Sequence, residues 1–327
     1  MKAVLCTEYA EHAALRFGDV PAPQPGPREL VVDVHMAAVS FMDVLMTQGK
    51  YQMKPALPYV PGSDAAGIVS AVGSEVTRFR VGDRVACGNW HGAWAEQMLA
   101  PEDWAAPIPM QVDFATAAAL RYAYGTARYA LVTTAHLQPG EVLFVSGAAG
   151  GVGLAAVDLG RHLGARVIAG VSTKEKAATV VEYGASEVVV YGEQDLRERI
   201  RSLTGGQGVD VCMDNVGGKT FETMARLMNW GGRLLPIGFA CGEIPSVPAN
   251  LPLLKNYSVL GAFWGAWVQR FPRESAAADE ALMRMVACGE LRPLVSHVLA
   301  WEDYAAAMSA IAARQVQGRA VLAVRRT

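Results

Sequence analysis

The 327-residue chain is poor in cysteine, histidine and charge, and each shortage excludes a class of protein. Its five cysteines are an odd, dispersed set without a CxxC pair, which indicates reduced thiols in a cytosolic protein rather than a disulfide framework. The six histidines are equally dispersed and show no metal-ligand spacing. Only 18% of the residues are charged and the formal net charge is -2, so nothing favours a nucleic acid or an anionic membrane as partner.

Two further absences concern location. No apolar run without charges approaches the roughly 18 residues that a membrane span needs. The first stretch, MKAVLCTEYAEHAAL, reaches Glu8 without the apolar core of a signal peptide. We therefore expect a cytoplasmic protein. Hydrophobic residues nevertheless make up 52% of the chain, enough to bury a sizeable core.

The pattern of apolar residues changes along the chain. The first third consists of short apolar runs separated by proline and glycine, which is typical of a small β-barrel-like unit. After about Phe114, six short apolar strands alternate with amphipathic helices, from EVLFVSG to SVLGAFWG. This alternation predicts an α/β region with a parallel, doubly wound sheet of the dinucleotide-binding kind. The tail is mixed again and ends in a predicted strand, GRAVLAV.

A glycine-rich loop, SGAAGGVG, stands between the first strand of this region and a helix. Ala148 replaces the first glycine of a GxGxxG pattern, while Gly150 and Gly153 keep the other two positions. Such a loop brings backbone N–H groups to a pyrophosphate at the helix N-terminus. The alternative is a plain strand–helix turn, but its place at the head of six alternating strands favours a cofactor. The candidate contacts are Ala149, Gly150, Gly151 and Val152.

The second strand ends without the acidic residue that binds the ribose hydroxyls of NAD. The sequence there reads Gly170-Val171-Ser172-Thr173-Lys174, and the first carboxylate is Glu175, between two lysines. An acid would repel a 2′-phosphate, whereas Ser172 can donate a hydrogen bond and Lys174 or Lys176 can supply charge. The absent acid therefore predicts NADPH over NADH. The alternative for each lysine is a solvated position at the start of a helix.

With these features in place, the chain resembles the zinc-free quinone oxidoreductase branch of the medium-chain dehydrogenase/reductase superfamily. The resemblance rests on PGSDAAGIVSAVG, VGDRV, GAAGGVG and GGRLLPIGFACGEIPSVPANLPLLKN, and it covers essentially the whole chain. It implies a GroES-like β-rich catalytic domain built from residues 1–121 and 265–327. It also implies a Rossmann NADPH-binding domain at residues 122–264, and a homodimer.

The resemblance also implies which residues bind the cofactor. A serine or glycine after the second strand, a lysine four residues on and a tyrosine ending the third strand would hold the 2′-phosphate; these are Ser172, Lys176 and Tyr191. Lys174 becomes the less favoured contact. Positions implied near the nicotinamide are Thr126, Gly238, Phe239, Phe263 and Trp264. Gly318 and Arg319 match a turn that approaches the cofactor. For Trp264 the alternative is core packing, and for Arg319, beside Gly318, it is a solvated side chain.

The zinc ligands of the alcohol-dehydrogenase relatives are missing. Ser40 stands where those enzymes have a cysteine, and Gly62-Ser63-Asp64 replaces their Gly-His-Glu. The four-cysteine lobe offers only Cys87. We therefore expect no metal.

Without zinc, the expected chemistry is NADPH-dependent reduction of an acceptor that is already electron-poor. The resemblance places the catalytic residues in SFMDVLMTQGKY, at Ser40, Asp43 and Tyr51, where Tyr51 either orients or protonates the substrate or only packs. The favoured substrates are quinones and α,β-unsaturated carbonyls. One alternative is a reductase of short 2-enoyl thioesters, such as acyl-CoA. The other is a non-catalytic NADPH-binding protein with a structural or nucleic-acid role. The balanced charge argues against the nucleic-acid role, because such binding needs lysine and arginine at the phosphates.

Overall fold

The computed structural model describes residues 1–10 and 14–325. One of the six histidines, His12, lies outside the described residues. The chain divides into two compact units, here called unit 1 and unit 2. Unit 1 comprises Met1–Tyr122 and Trp267–Thr327, and unit 2 comprises Ala123–Ala266.

Strands and helices follow one another along the chain in the order that the apolar patterns predict. The strands are β1 Lys2–Cys6, β2 Leu15–Asp19, β3 Glu29–Val39, β4 Asp64–Val72, β5 Arg84–Gly88, β6 Gln97–Pro101, β7 Ala105–Pro107, β8 Val142–Val145, β9 Arg166–Val171, β10 Glu187–Val190, β11 Val209–Asp214, β12 Met228–Pro236, β13 Ser258–Val259, β14 Val295–Ala300 and β15 Arg319–Ala323. The α-helices are α1 Phe41–Thr47, α2 Phe114–Arg128, α3 Gly151–His162, α4 Lys174–Glu182, α5 Leu196–Leu203, α6 Gly218–Ala225, α7 Asn250–Lys255, α8 Trp264–Arg270, α9 Pro272–Ala287 and α10 Tyr304–Ala312. Among the described residues, no helix has the length and apolarity of a bilayer span.

Unit 1 is built on a mixed sheet in which the strands run β14-β15-β3-β4-β5-β7, with β6 also paired to β3. The last strand of the chain, β15, lies antiparallel to β3, with Leu322 opposite Ala37. Trp94 and Leu322 are fully buried in the core of this sheet. The tail therefore completes a sheet that the first third of the chain begins.

Unit 2 carries a six-stranded parallel sheet in the order β10-β9-β8-β11-β12-β13. Counted from β8, this is the 3-2-1-4-5-6 order of a Rossmann sheet. The fold prediction, a Rossmann sheet together with a separate β-rich domain, is confirmed. Because the strands are parallel, the loops after β8, β9 and β11 all leave from one edge of the sheet.

The sixth strand is shorter than the sequence predicts. SVLGAFWG suggests a strand through Trp264, but β13 ends at Val259 and Trp264 begins α8. The amide of Leu260 still donates to the carbonyl of Leu234 at 2.9 Å. The next donor on the neighbouring strand would be residue 236, which is a proline without an N–H. The ladder therefore stops there.

Candidate functional site

The glycine-rich loop of unit 2 turns sharply between β8 and α3. A Cβ on Gly153 would stand 2.2 Å from the carbonyl oxygen of Gly147 and 2.8 Å from the Cα of Ala148. Both are backbone atoms and cannot move aside without distorting the loop. The fold itself thus requires glycine at position 153, where the helix packs against its own loop.

Gly150 is a different case, because the fold leaves room beside it. A Cβ there would meet only the Gly147 carbonyl, at an ordinary 3.5 Å. Gly150 is the N-cap of α3 and has no side chain to bond the first N–H groups of the helix, which lack intrahelical partners. The first turn contains no acidic residue. These features fit the pyrophosphate of a dinucleotide at the positive end of the helix.

A buried polar network holds this loop to the end of β11. Ser146 Oγ donates to the Asp214 carboxylate, and both residues are fully buried. The Asn215 backbone N–H donates to Ser146 Oγ at 2.8 Å, and the Gly217 N–H donates to Asp214 Oδ2 at 2.7 Å. Burial raises the pKa of Asp214, while the hydrogen bonds from Ser146 and Gly217 act in the opposite direction. The sequence analysis missed this network, although a polar Asp-Asn pair at the end of a buried parallel strand was visible.

The region of the missing acid contains a hydrogen-bonded pair. Lys176 Nζ donates to Ser172 Oγ at 3.2 Å, so the two predicted phosphate contacts lie together after β9. Lys174 instead forms an ion pair with Glu193 at 3.2 Å and remains largely exposed. Of the two lysines that the sequence offered for the 2′-phosphate, Lys176 therefore lies with Ser172, whereas Lys174 is paired with Glu193.

Tyr191, the third predicted phosphate contact, packs with the core of unit 2. A Cβ on Gly170 would stand 2.0 Å from the Tyr191 hydroxyl, so Gly170 makes room for that side chain. Burial raises the pKa of Tyr191, and the nearby Asp214 charge raises it further. The hydroxyl therefore lies at the end of β9 in its protonated form.

The aromatic residues predicted near a nicotinamide differ in exposure. Trp264 is only 8% exposed, and a Cβ on Gly125 would come within 2.8 Å of its indole, so close packing accounts for much of its position. Thr126, next to Gly125 on α2, is also buried. Phe239 and Phe263 are instead exposed. The amide of Gly238 donates to the Asp214 carbonyl at 3.2 Å, which ties that segment to the end of β11.

In unit 1, Ser40 and Asp43 form a capping box at the start of α1. The backbone N–H and the hydroxyl of Ser40 donate to Asp43 Oδ2 at 2.7 and 2.6 Å, and both residues are 1% exposed. Burial raises the pKa of Asp43 to about 6, against the bonds from Ser40 and the charge of Arg319. Ser40 and Asp43, which were predicted to be catalytic, therefore also cap the N-terminus of α1.

Tyr51 lies beside this helix, half-buried against the cluster that includes Met42 and Met46. Burial raises the pKa of its phenol, and the Asp43 charge raises it further. Tyr122 packs on the same cluster, and its pKa is raised in the same way. Both phenols are therefore protonated donors at neutral pH.

Asp64 is the last residue of the Gly62-Ser63-Asp64 stretch that was compared above with Gly-His-Glu. It accepts a hydrogen bond from Ser63 Oγ at 2.6 Å, and its Oδ1 lies 3.6 Å from Arg121 Nη1. Arg121 also donates to Asp279 at 2.9 Å. Within residues 1–10 and 14–325, no group of three or more His, Cys, Asp or Glu side chains is arranged to hold a metal ion.

The predicted turn at Gly318 is one that only glycine tolerates well. Its φ is +66°, and a Cβ would stand 2.4 Å from the carbonyl oxygen of Leu294. The next residue, Arg319, is 6% exposed, so the alternative of a solvated side chain is wrong.

Comparison with known proteins agrees with this architecture. Residues 26–110 match the family model of the alcohol dehydrogenase GroES-like domain, and residues 151–280 match that of zinc-binding dehydrogenases. A quinone oxidoreductase-like protein 2 homolog of Nematostella vectensis is 37% identical over 98% of this chain and 88% of its own length. The quinone oxidoreductase of Pseudomonas aeruginosa is 34% identical over 98% of this chain and 99% of its own length.

Solved structures give the same result. Escherichia coli quinone oxidoreductase complexed with NADPH has a TM-score of 0.91 and 29% identity, covering 99% of this chain and 100% of its own. A mycobacterial protein complexed with NADPH has a TM-score of 0.92 and 32% identity, with the same coverage. Fold and matches define a medium-chain dehydrogenase/reductase. Within that superfamily, the chain belongs to the quinone oxidoreductase family, as its sequence motifs predicted.

The raised pKa of Asp43 predicts a pH-dependent effect on stability. Since the folded pKa of about 6 exceeds the ordinary 3.8, the ionised carboxylate destabilises the fold above pH 6, and this cost disappears as the pH falls toward 4. We expect Asp43→Asn to gain stability relative to wild type by about 2 kcal/mol more at pH 8 than at pH 4.5. Denaturant unfolding at the two pH values measures this difference. The exposed Asp19→Asn is the control and should show no such change; an equal effect of Asp43→Asn at both pH values would contradict the assignment.

Proposed function

We propose that the protein is an NADPH-dependent reductase that transfers a hydride to a quinone or an α,β-unsaturated carbonyl without a metal. The observation that carries this proposal is the combination of an open Gly150 at the start of α3 with the Ser172–Lys176 pair after β9. Solved relatives of similar length are complexed with NADPH, and curated relatives are named quinone oxidoreductases.

Binding of the cofactor is assigned to unit 2. The N–H groups around Ala149, Gly150, Gly151 and Val152 would hold the pyrophosphate, since they lie at the N-terminus of α3. Ser172 Oγ and Lys176 Nζ, which lie 3.2 Å apart, would share the 2′-phosphate. Tyr191 would support this site from the end of β9.

Chemistry at the acceptor is assigned to unit 1. NADPH supplies the hydride when bound, so the chain's own task is to orient the acceptor and to stabilise the charge that develops on its oxygen. Tyr51 is protonated at neutral pH and can donate a hydrogen bond or a proton to that oxygen. Ser40 and Asp43 fix α1 and thereby position Tyr51.

Five residues of unit 2 would form the surroundings of the nicotinamide on this proposal. Phe239 and Phe263 present exposed aromatic faces for a planar ring. Thr126 and Trp264 would line the same place from more buried positions. Gly238 would offer its backbone there. The turn at Gly318 would be a further contact of the cofactor.

The same proposal includes the division into two domains and their assembly as a homodimer. Residues 1–121 and 265–327 would form the catalytic domain, and residues 122–264 the NADPH-binding domain, of a cytoplasmic homodimer. The edge strand of the parallel sheet in unit 2, β13, supports a dimer, because Val259 on this strand is exposed. Leu253 and Leu254 on the preceding α7 are 79% and 67% exposed, which is unusual for leucine.

A screen of NADPH oxidation tests the proposed reaction. Purified protein is incubated with 1,4-benzoquinone, an enone and a short 2-enoyl thioester, each with NADPH and before and after extensive chelation. We expect turnover of the quinone or the enone that chelation leaves unchanged. Turnover of the thioester alone would transfer the assignment to the enoyl-thioester alternative. Loss of activity on chelation, restored by a metal, would contradict the metal-free reaction.

Selection of the 2′-phosphate is tested by Lys176→Ala. Loss of one charge-assisted contact should raise the KM for NADPH by about 10- to 100-fold and leave the KM for NADH nearly unchanged. Lys174→Ala is the matched control, because Lys174 is two residues away and paired with Glu193. Equal effects of Lys176→Ala on both cofactors would remove the phosphate contact from the proposal.

A further inference from the structure

The proposed mechanism leaves unused a buried carboxylate in unit 2. Asp158 lies on α3, about two turns after the glycine-rich loop, and it is 0% exposed. Its two oxygens have different partners: the Tyr124 hydroxyl donates to Oδ2 at 2.8 Å, and Arg161 Nη2 donates to Oδ1 at 2.9 Å. Because a buried carboxylate is costly unless it is hydrogen-bonded, these bonds constrain both partners.

Through Tyr124, the carboxylate holds α2. Tyr124 is 3% exposed, so its hydroxyl meets Asp158 inside the core of the unit. The next residue, Gly125, packs so closely on Trp264 that a Cβ there would stand 2.8 Å from the indole. Thr126 follows and is also buried. The bond from Tyr124 therefore fixes the part of α2 that adjoins two positions proposed to surround the nicotinamide.

Through Arg161, the same carboxylate is joined to the chain that follows α4. A Cβ on Gly184 would stand 2.1 Å from Arg161 Cδ, so the stem of the arginine fills the space beside that glycine. Gly184 comes two residues after the end of α4, and Lys176 lies in the first turn of the same helix. A short helix moves as one rigid element. Arg161 thus ties the helix that carries Lys176 to α3.

We propose that Asp158 is a positioning residue, which sets the distances of α2 and α4 from the pyrophosphate loop at the start of α3. This inference rests on the proposed function and names the residue that brings its three groups of cofactor contacts into register. NADPH binds with full affinity only when its pyrophosphate, its 2′-phosphate and its nicotinamide meet their contacts together. A displacement of about 1 Å at one of these contacts can cost about 100-fold in rate.

A purely structural role of the Asp158 bonds predicts a different result. Loss of a buried hydrogen bond would then lower the melting temperature and weaken every ligand of unit 2 alike. A positioning role predicts effects that differ between the two halves of the cofactor. Adenosine 2′,5′-bisphosphate is the probe for one half, because it carries the 2′-phosphate and a 5′-phosphate but no nicotinamide.

The first variant is Tyr124→Phe, which keeps the ring on α2 and removes its hydroxyl. We expect the Kd for NADPH, from nicotinamide fluorescence, to rise about tenfold and kcat in the quinone assay to fall about tenfold. The Kd for adenosine 2′,5′-bisphosphate, from calorimetry, should change less than twofold. Tyr257→Phe is the matched control and should behave as wild type, because the buried Tyr257 hydroxyl has no hydrogen-bond partner within residues 1–10 and 14–325.

The second variant is Asp158→Asn, which replaces the charge that Arg161 binds with a neutral amide of the same size. The Kd should rise for both ligands, by about fivefold for the bisphosphate, because α4 then loses its tie to α3 as well. If Asp158→Asn does not fold, Tyr124→Phe alone decides.

Two results would overturn the inference while the proposed function stands. One is an equal change for both ligands in Tyr124→Phe, and the other is no change relative to Tyr257→Phe. Wild-type protein that binds neither NADPH nor the bisphosphate would overturn the proposed function together with the inference.

Discussion

The contact between the start of α3 and the loop before it is the constraint on which the candidate cofactor site depends. The carbonyl oxygen of Gly147 occupies the place of a Cβ at position 153, so the helix can begin this close to β8 only with glycine there. The bond from Ser146 to the buried Asp214 then holds the same loop to the end of β11. Together they aim the N-terminus of α3 at the carboxyl edge of the sheet, where dinucleotides bind in this class of fold.

Unit 1 holds several polar and charged groups inside its core. Asp43 is buried in the capping box of α1, where its carboxylate accepts hydrogen bonds from the N–H and the hydroxyl of Ser40, and its pKa rises to about 6. Arg319 provides the opposite charge, and the phenols of Tyr51 and Tyr122 remain protonated. Such a cluster is destabilising in itself, because its charges have left water without complete pairing. Its retention in a core agrees with a chemical role.

The sequence predicts well those features that local patterns encode. The alternation of strands and helices, the glycine loop and the missing acid after β9 are all local, and the parallel sheet follows from them. The features it missed join distant segments. Asp214 meets Ser146 across 68 positions, and Arg319 is brought to Tyr122 by the folding of the tail into unit 1. β13 is short because Pro236 in the neighbouring strand β12 has no N–H to continue the ladder. Position 191 was predicted by resemblance, but its packing against Gly170 was not.

The central proposal is that the pyrophosphate of NADPH binds in the space that the fold leaves open beside Gly150. The decisive measurement is the Kd for NADPH of Gly150→Ala, from titration of the nicotinamide fluorescence, together with the melting temperature. A Cβ there makes only ordinary contact within the chain, so the melting temperature should stay within about 2 °C of wild type. The Kd should rise at least about tenfold. An unchanged Kd in a normally folded variant would contradict the account.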